Sequence, residues 1–156
     1  MENMRPIDRR KAAHIFFTSL IILIADQLFK FLVLKQIPFK FSIQVIPNIF
    51  SLSHIRNYGA AFGVLQNSSQ LLLWFSIIVV GVILYIYDKI PDEIFPQILT
   101  GLILGGTLGN LIDRIRLGYV VDFLNFQIWP AFNVADMAIT IGVIGLIIYL
   151  IRSEVT

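Results

Sequence analysis

Apolar residues are concentrated in four long stretches of the chain, separated by shorter and more polar segments. The stretches run from about Ala13 to Leu34, Gln70 to Tyr87, Phe95 to Ile112 and Val134 to Ile151. A helix needs roughly 20 predominantly apolar residues to cross the hydrocarbon core of a bilayer. The pattern therefore predicts four membrane-spanning helices, with both ends of the chain on the same side of the membrane.

Between the first two stretches the pattern changes to a strict alternation. Apolar and polar side chains alternate over residues 41–46 and 50–55, which is the period of a β-strand. We therefore predict a small sheet outside the membrane within about residues 36–65, and a second excursion to the same side over residues 113–131. The predicted fold class is an all-α membrane protein: four transmembrane helices with a small extracytoplasmic β-sheet, in a single domain over residues 1–156.

The composition supports a membrane protein and excludes several other classes. Of the 156 residues, 57% are hydrophobic and only 14% are charged, and the mean hydropathy is +0.81. A soluble fold of this size could not bury so much apolar surface. The absence of cysteine excludes disulfides and thiol chemistry, and a net charge of +2 without a dense basic tract excludes a nucleic-acid-binding surface.

The basic residues indicate an orientation. Arg5, Arg9, Arg10 and Lys11 precede the first span, and short cytoplasmic segments are enriched in such residues. We therefore expect both termini in the cytoplasm and the sheet on the outer side. Several basic residues then fall on or near the outer side, against this rule: Lys35, Lys40, Arg56, Arg114 and Arg116.

Ionisable residues also occur at the predicted outer ends of the spans and in the outer loops. An ionised group placed within a span costs roughly 2.5–3.5 kcal/mol on insertion scales, so each one needs a partner or a role. The residues in question are Asp26, Lys30, Asp113, Arg114, Asp122 and Asp136. Their common depth predicts a single polar site near the outer face.

Two spacings within the predicted spans indicate helix contacts. Asp26 and Lys30 are four residues apart, so they share a helix face and can form an ion pair, which we interpret as support for the site. Gly101, Gly105 and Gly109 recur every four residues, a spacing typical of close helix packing. The alternative for these glycines is a flat face that accommodates a substrate helix.

Asp122 and Asp136 are the candidates for acid–base chemistry. Asp122 lies in an apolar run without a local partner, whereas Asp136 follows Asn133 by three residues, a pattern that also fits a helix N-cap. If the two carboxylates face one another, they must share a proton. His14 and His54 fall on opposite sides of the predicted topology, so we expect no metal site and no cofactor.

Five ordered motifs extend over nearly the whole chain. They are Asp26-Gln27-x-x-Lys30, Arg56-Asn57-x-Gly59-Ala60-Ala61-Phe62, Gly105-Gly106-x-x-Gly109-Asn110-x-x-Asp113-Arg114, Gly118-x-Val120-Val121-Asp122-Phe123 and Phe132-Asn133-Val134-Ala135-Asp136. In kind and order they resemble the motifs of the bacterial lipoprotein signal peptidases, also called signal peptidase II. Met137, where many relatives have a small polar residue, is a mild departure. The resemblance implies an aspartic endopeptidase of the bacterial cytoplasmic membrane, with four transmembrane helices and a small outer sheet.

The resemblance also implies a role for each site residue. Asp122 and Asp136 match the catalytic pair of the family, and Asp26 and Lys30 match its first-helix motif. Positions that line or brace the site are matched by Asn57, Gly59, Asn110, Asp113, Arg114, Asn133 and Ala135.

The implied substrate is a lipid-modified prolipoprotein, cut on the N-terminal side of its diacylglyceryl-modified cysteine among the membrane lipids. The active site would lie toward the outer face, with both termini cytoplasmic. We expect a monomer that uses neither metal nor nucleic acid, and inhibitors of the globomycin type are expected to bind at the aspartate pair.

The residues by themselves leave two other functions open. In a transporter or proton-conducting subunit, the same acids would form a proton relay. In a purely structural helix-packing protein they would brace the bundle, although that function leaves Asp122 unexplained.

Overall fold

The computed structural model describes residues 8–59 and 68–155 of the chain. Within these ranges the long helices are α1 (Arg9–Gln36), α2 (Ser69–Tyr85), α3 (Ile94–Leu117) and α4 (Val134–Val155). The strands are β1 (Ser42–Ile46), β2 (Phe50–Asn57) and β3 (Val120–Phe126), and a short 3-10 helix, Tyr87–Lys89, follows α2. The fold is therefore mainly helical, with one small sheet.

In the described part of the chain, three helices are long and apolar enough to cross a membrane. They cover Arg9–Gln36, Ile94–Leu117 and Val134–Ser153, and α2 is a shorter apolar helix. Large apolar side chains such as Phe17, Ile21 and Ile144 are more than half exposed on the helix surfaces, as expected where lipid surrounds them. The predictions of a helical membrane protein and a small sheet are confirmed, while the fourth span stays a prediction.

Three of the four helices extend well beyond the apolar stretches that predicted them, whereas α2 ends at Tyr85, before the predicted end at Tyr87. α1 begins at Arg9 because the Asp8 side chain accepts hydrogen bonds from the backbone N–H groups of Arg10 (2.9 Å) and Lys11 (3.3 Å). α3 continues past the predicted end at Ile112 and stops at Gly118, whose φ of 78° is the left-handed conformation of a helix C-cap. Hydropathy marks the part of a helix that lipid can cover, whereas capping decides where the helix ends.

The sheet is antiparallel, in the order β1-β2-β3. The predicted sheet region contributes only two strands, and the third comes from the segment after α3, where β3 pairs with β2 so that Asp122 lies opposite Ile55. The first four residues of β3 are all buried, so that strand has no alternation by which the sequence could reveal it. Residues 60–65 of the predicted sheet lie outside the described residues.

Glycines make α3 the central helix of the bundle. A Cβ atom on Gly105 would lie 2.5 Å from the carbonyl oxygen of Ser19 in α1, and one on Gly106 would lie 2.5 Å from that of Ala135 in α4. Only a residue without a side chain permits such approaches on both sides. The helix-packing interpretation of the glycine spacing is confirmed, because α1 and α4 already occupy the glycine faces.

We expect Gly105→Ala to lower the unfolding temperature of the protein, because the added methyl group forces α1 and α3 apart. Overpacking of this kind typically costs about 1–3 kcal/mol. Gly81→Ala in α2 is the matched control, since a Cβ at Gly81 has nothing within 4 Å. Thermal unfolding of both variants in detergent checks the prediction, and an equal response would contradict the packing argument.

Candidate active site

Asp122 lies on β3, with its side chain almost fully buried. The register with β2 brings it close to Asn57, and the Asn57 amide donates to the Asp122 carboxylate at 2.8 Å. The Asn133 amide donates to the other carboxylate oxygen, also at 2.8 Å. Asn57 in turn accepts a hydrogen bond from the backbone N–H of Gly59 at 3.0 Å. Asp122 is thus held on both oxygens by neutral donors.

Asp136 lies in the first turn of α4, where it forms a reciprocal cap with Asn133. The Asn133 side chain accepts from the backbone N–H of Asp136 at 2.9 Å, and the Asp136 carboxylate accepts from the backbone N–H of Asn133 at 3.3 Å. The Asn110 amide donates to the Asp136 carboxylate at 2.8 Å. The N-cap prediction is confirmed, and the same contacts orient the carboxylate.

Asn133 joins the two aspartates. Its side-chain oxygen caps α4, which carries Asp136, while its amide nitrogen donates to Asp122. The amide also lies 3.2 Å from the Asn110 side-chain oxygen and 3.3 Å from the Val121 carbonyl oxygen. A strand residue and a helix residue distant in sequence are therefore fixed by one fully buried side chain.

The electrostatic environment of Asp122 favours its protonated form. Burial and the negative charge of Asp136 raise the pKa of Asp122 from 3.8 to about 7, against the opposing effect of hydrogen bonds from Asn57 and Asn133. A raised pKa of this kind is expected when two carboxylates share a poorly solvated site. Near neutral pH, Asp122 is therefore able to gain or lose a proton.

Lys30 of α1 is fully buried where α1 packs against α3. Its ammonium group is 2.7 Å from the Asp26 carboxylate and 3.0 Å from that of Asp113. It also donates to the Asn110 side-chain oxygen at 3.0 Å. The predicted pairing of Asp26 with Lys30 is confirmed, and the second acid is Asp113, which no spacing rule had connected to Lys30.

Each acid paired with Lys30 holds the backbone next to one of the two aspartates. Asp26 accepts from the N–H of Ala135 at 2.9 Å, and Ala135 precedes Asp136. Asp113 accepts from the N–H of Val121 at 3.0 Å, and Val121 precedes Asp122. The ion-paired cluster therefore fixes the main chain on which both aspartates are carried.

Gln27 is a further site residue, outside those predicted from the sequence. Its amide nitrogen lies 3.0 Å from the Asp113 carboxylate, 3.3 Å from that of Asp26 and 3.2 Å from the Gly109 carbonyl oxygen. It therefore contacts both of the acids that pair with Lys30. Its position in the first motif is the one sequence feature that could have identified it. Gln27 directly follows Asp26, and adjacent residues of a helix are not expected to share a face.

A cavity of about 790 Å³ opens beside Asp136 between α2, α3 and α4. Polar side chains line one end of it, including Asn57, Asn110 and Arg114, while apolar side chains line most of the rest. The loop after β3, residues 129–132, supplies part of the wall and was not predicted as part of the site. The cavity can therefore receive a mainly apolar segment with a polar group at one end.

Arg114 faces this cavity at the level of the aspartates. Its guanidinium acts electrostatically on Asp136, Asp122 and Asp113, and one terminal nitrogen lies 3.5 Å from the Ser76 hydroxyl of α2. In the described part of the chain its buried Nε atom has no hydrogen-bond partner. The positive charge of Arg114 offsets part of the negative charge of these three acids.

The two histidines lie outside this site. His14 contacts the side-chain oxygen of Gln97 at 2.7 Å, and His54 contacts the carbonyl oxygen of Ile37 at 2.9 Å. In the described ranges no three His, Cys, Asp or Glu residues are arranged to hold a metal ion.

Residues 18–152 match the family model described as signal peptidase (SPase) II. The chain belongs to the signal peptidase II family. It is 43% identical to a lipoprotein signal peptidase of Halothermothrix orenii, over 90% of this chain and 97% of that protein. It is 46% identical to one of Moorella thermoacetica, over 81% of this chain and 85% of that protein.

A solved structure has the same fold. It is described as a bacterial membrane enzyme, and it superposes with a TM-score of 0.82 at 33% identity, covering 90% of this chain and 88% of that one. Signal peptidase II enzymes are proteases that remove signal peptides from prolipoproteins. Membership of this family decides against the transporter and purely structural alternatives.

We expect Lys30→Met to destabilise this signal peptidase II protein by about 3–5 kcal/mol, because it leaves the buried acids Asp26 and Asp113 without a cation. The triple variant Asp26→Asn, Lys30→Met, Asp113→Asn should recover most of the loss, since asparagine oxygens still accept hydrogen bonds from Ala135 and Val121. Unfolding temperatures in detergent measure both effects. A triple variant no more stable than Lys30→Met would contradict this account of the cluster.

Proposed function

We propose that the chain is an intramembrane aspartic endopeptidase in which Asp122 and Asp136 carry the reaction. The observation that carries the proposal is the joining of two largely buried carboxylates through Asn133 at the polar end of an apolar cavity. Paired carboxylates with one proton between them supply both a base and an acid.

In the proposed mechanism the ionised aspartate takes a proton from a water molecule, which attacks the scissile carbonyl carbon. The protonated aspartate polarises the carbonyl oxygen and later supplies the proton that the leaving amine requires. The pKa of Asp122, raised to about 7 by burial and by Asp136, supports a shared proton near neutral pH. The reaction needs no covalent intermediate.

We assign the remaining site residues to binding and positioning. Asp26, Lys30 and Asp113 hold the backbone at Ala135 and Val121, so they act through the aspartates. The amides at the site donate to the carboxylates, and Arg114 offers a donor toward substrate carbonyl groups. The amides are those of Asn57, Asn110 and Asn133, and the backbone N–H of Gly59 supports the site indirectly by donating to the Asn57 side chain.

The proposed substrate is a diacylglyceryl-modified prolipoprotein, cut on the N-terminal side of its lipidated cysteine. The cavity between α2, α3 and α4 is lined mainly by apolar residues, which suits the apolar helix of a signal peptide. A peptide bond within a helix is not open to attack, so the polar end of the cavity is suited to bind an unwound segment. Globomycin-type inhibitors would bind at the same end, and we expect the enzyme to act as a monomer.

We further propose four membrane spans in one domain, in the bacterial cytoplasmic membrane. Ser76 of α2 lies level with Arg114, and Tyr87 just after α2 donates to the carbonyl of Asp8 at 2.9 Å. α2 therefore runs from the depth of the site to the opposite end of the bundle. Its 17 residues give about 25 Å of helix, close to the roughly 30 Å of a hydrocarbon core.

We expect Asp122→Asn and Asp136→Asn each to remove nearly all cleavage of a lipidated precursor. Asparagine keeps the shape of the side chain but cannot transfer the proton. The double variant should retain nearly the same residual cleavage activity as either single variant, because both residues serve the same step. Purified variants in detergent, assayed by gel shift of the precursor, test this prediction, and Asp88→Asn at the opposite end of the bundle is the matched control.

The pH profile gives a second test of the same pair. Cleavage should fall as the pH rises through about 7, because the shared proton is lost, and it should also fall in acid as both carboxylates become protonated. The two limbs of the pH profile give apparent pKa values that belong to the pair and not to either residue alone. Substantial cleavage by folded Asp122→Asn or Asp136→Asn protein would rule out the mechanism.

The orientation is tested by accessibility of tags at both termini and at the turn between β1 and β2. With the basic residues before α1 in the cytoplasm, tags at Met1 and Thr156 should be inaccessible from outside. A tag beside Asn48, which is exposed, should be accessible. The reverse pattern would move the site to the cytoplasmic face.

A further inference from the structure

The end of the bundle that carries the sheet has an unusual distribution of charge. All acids of this end belong to the active site or to the ion-paired cluster around Lys30. They are Asp26, Asp113, Asp122 and Asp136. Lys30 and Arg114 are also part of the site, but four other basic residues lie outside it. These are Lys35, Lys40, Arg56 and Arg116, and we call them the basic rim.

The basic rim has no acidic neighbours to neutralise it. The sequence contains no Asp or Glu from Gln27 to Tyr87, and only the buried Asp122 from Arg114 to Ala135. Among the described residues the recorded ion pairs involve only Lys11 and Lys30 as cations. The surface around the site is therefore uniformly positive, whereas the opposite end mixes Asp88, Lys89, Asp92 and Glu93.

The guanidinium group of Arg56 is held in a position that suits binding of an anion. Its guanidinium lies between two aromatic rings, 4.1 Å from the ring centre of Phe39 and 4.9 Å from that of Tyr119. Its Nε atom is buried and has no hydrogen-bond partner in the described part of the chain. Stacking fixes the planar group, and a phosphate oxygen would be met by its terminal nitrogens, because the buried Nε atom cannot reach a headgroup.

Apolar side chains lie beside several of these cations. Lys35 lies over the ring of Phe31, which is more than half exposed on α1. All residues of β1 are exposed, and the apolar side chains of Ile43 and Val45, with Phe41 just before the strand, lie on one of its faces. Apolar groups beside a row of cations match the boundary between acyl chains and phosphates.

We infer that the basic rim binds the phosphodiester headgroups of anionic phospholipids, with Arg56 as the central phosphate ligand and the apolar face of β1 seated at the acyl boundary. Such a contact holds the sheet against the bilayer surface beside the active site. An acidic segment of the precursor would also meet the charges, but it gives no reason for the exposed apolar face. The lipid is therefore the occupant that accounts for both features.

The inference is tested by native mass spectrometry of the full chain titrated with phosphatidylglycerol or phosphatidylcholine in detergent. The variant Lys35→Gln, Lys40→Gln, Arg116→Gln should lose affinity for phosphatidylglycerol by roughly fivefold for each charge removed. The control Arg9→Gln, Arg10→Gln, Lys89→Gln removes the same charge from exposed residues at the opposite end. It should keep most of the wild-type preference for phosphatidylglycerol.

Equal losses in the two variants, or no loss in either, would overturn the inference. Arg56→Lys keeps the charge but not the stacked, forked donor, and unchanged binding by this variant would overturn the role given to Arg56. All these variants should cleave a lipidated precursor in detergent at near wild-type rates, which separates this test from that of the aspartate pair. Normal phosphatidylglycerol binding with lost binding of an acidic precursor would identify the peptide as the occupant instead.

Discussion

The buried ion-paired cluster around Lys30 positions both halves of the site. A buried ammonium group is costly unless opposite charges compensate it, and Lys30 has two, from Asp26 on its own helix and Asp113 on α3. Each of these acids also accepts a backbone N–H, one before Asp136 and one before Asp122. The charge on one side chain of α1 is thereby linked to the placement of a strand and of a helix that follow much later in the chain.

Asn133 provides further contacts that position the two aspartates. A helix N-terminus needs acceptors for its free N–H groups, and here that requirement is met by the residue that also donates to Asp122. The start of α4 and the geometry of the carboxylates are consequently fixed by the same contacts. Replacing Asn133 would therefore disturb the cap of α4 and the position of the Asp122 carboxylate together.

The sequence predicted those features that depend on local periodicity. The apolar stretches located the helices, the spacing of Asp26 and Lys30 predicted their pairing, and the spacing of Asn133 and Asp136 predicted the cap. The motifs placed the chain in its family. The catalytic roles themselves stay predictions that the proposed variants address.

Features that depend on contacts between distant segments could not be predicted in this way. Asp113 joins Lys30 only because glycines bring α1 and α3 together, and β3 is recognised only through its pairing with β2. Gln27 braces two acids from a helix position next to Asp26, where simple spacing rules expect a different face. In each case the partner, and not the local sequence, determines the role.

The close glycine contacts of α3 have a mechanical consequence. They lock α1 and α4 against α3, whereas α2, in the described part of the chain, packs on α3 alone among the long helices. The cavity lies where α2 and α4 fail to meet. The helices that align the two carboxylates therefore form one tightly packed unit, and α2, on the open side of the cavity, is the helix that the fewest packing contacts hold in place.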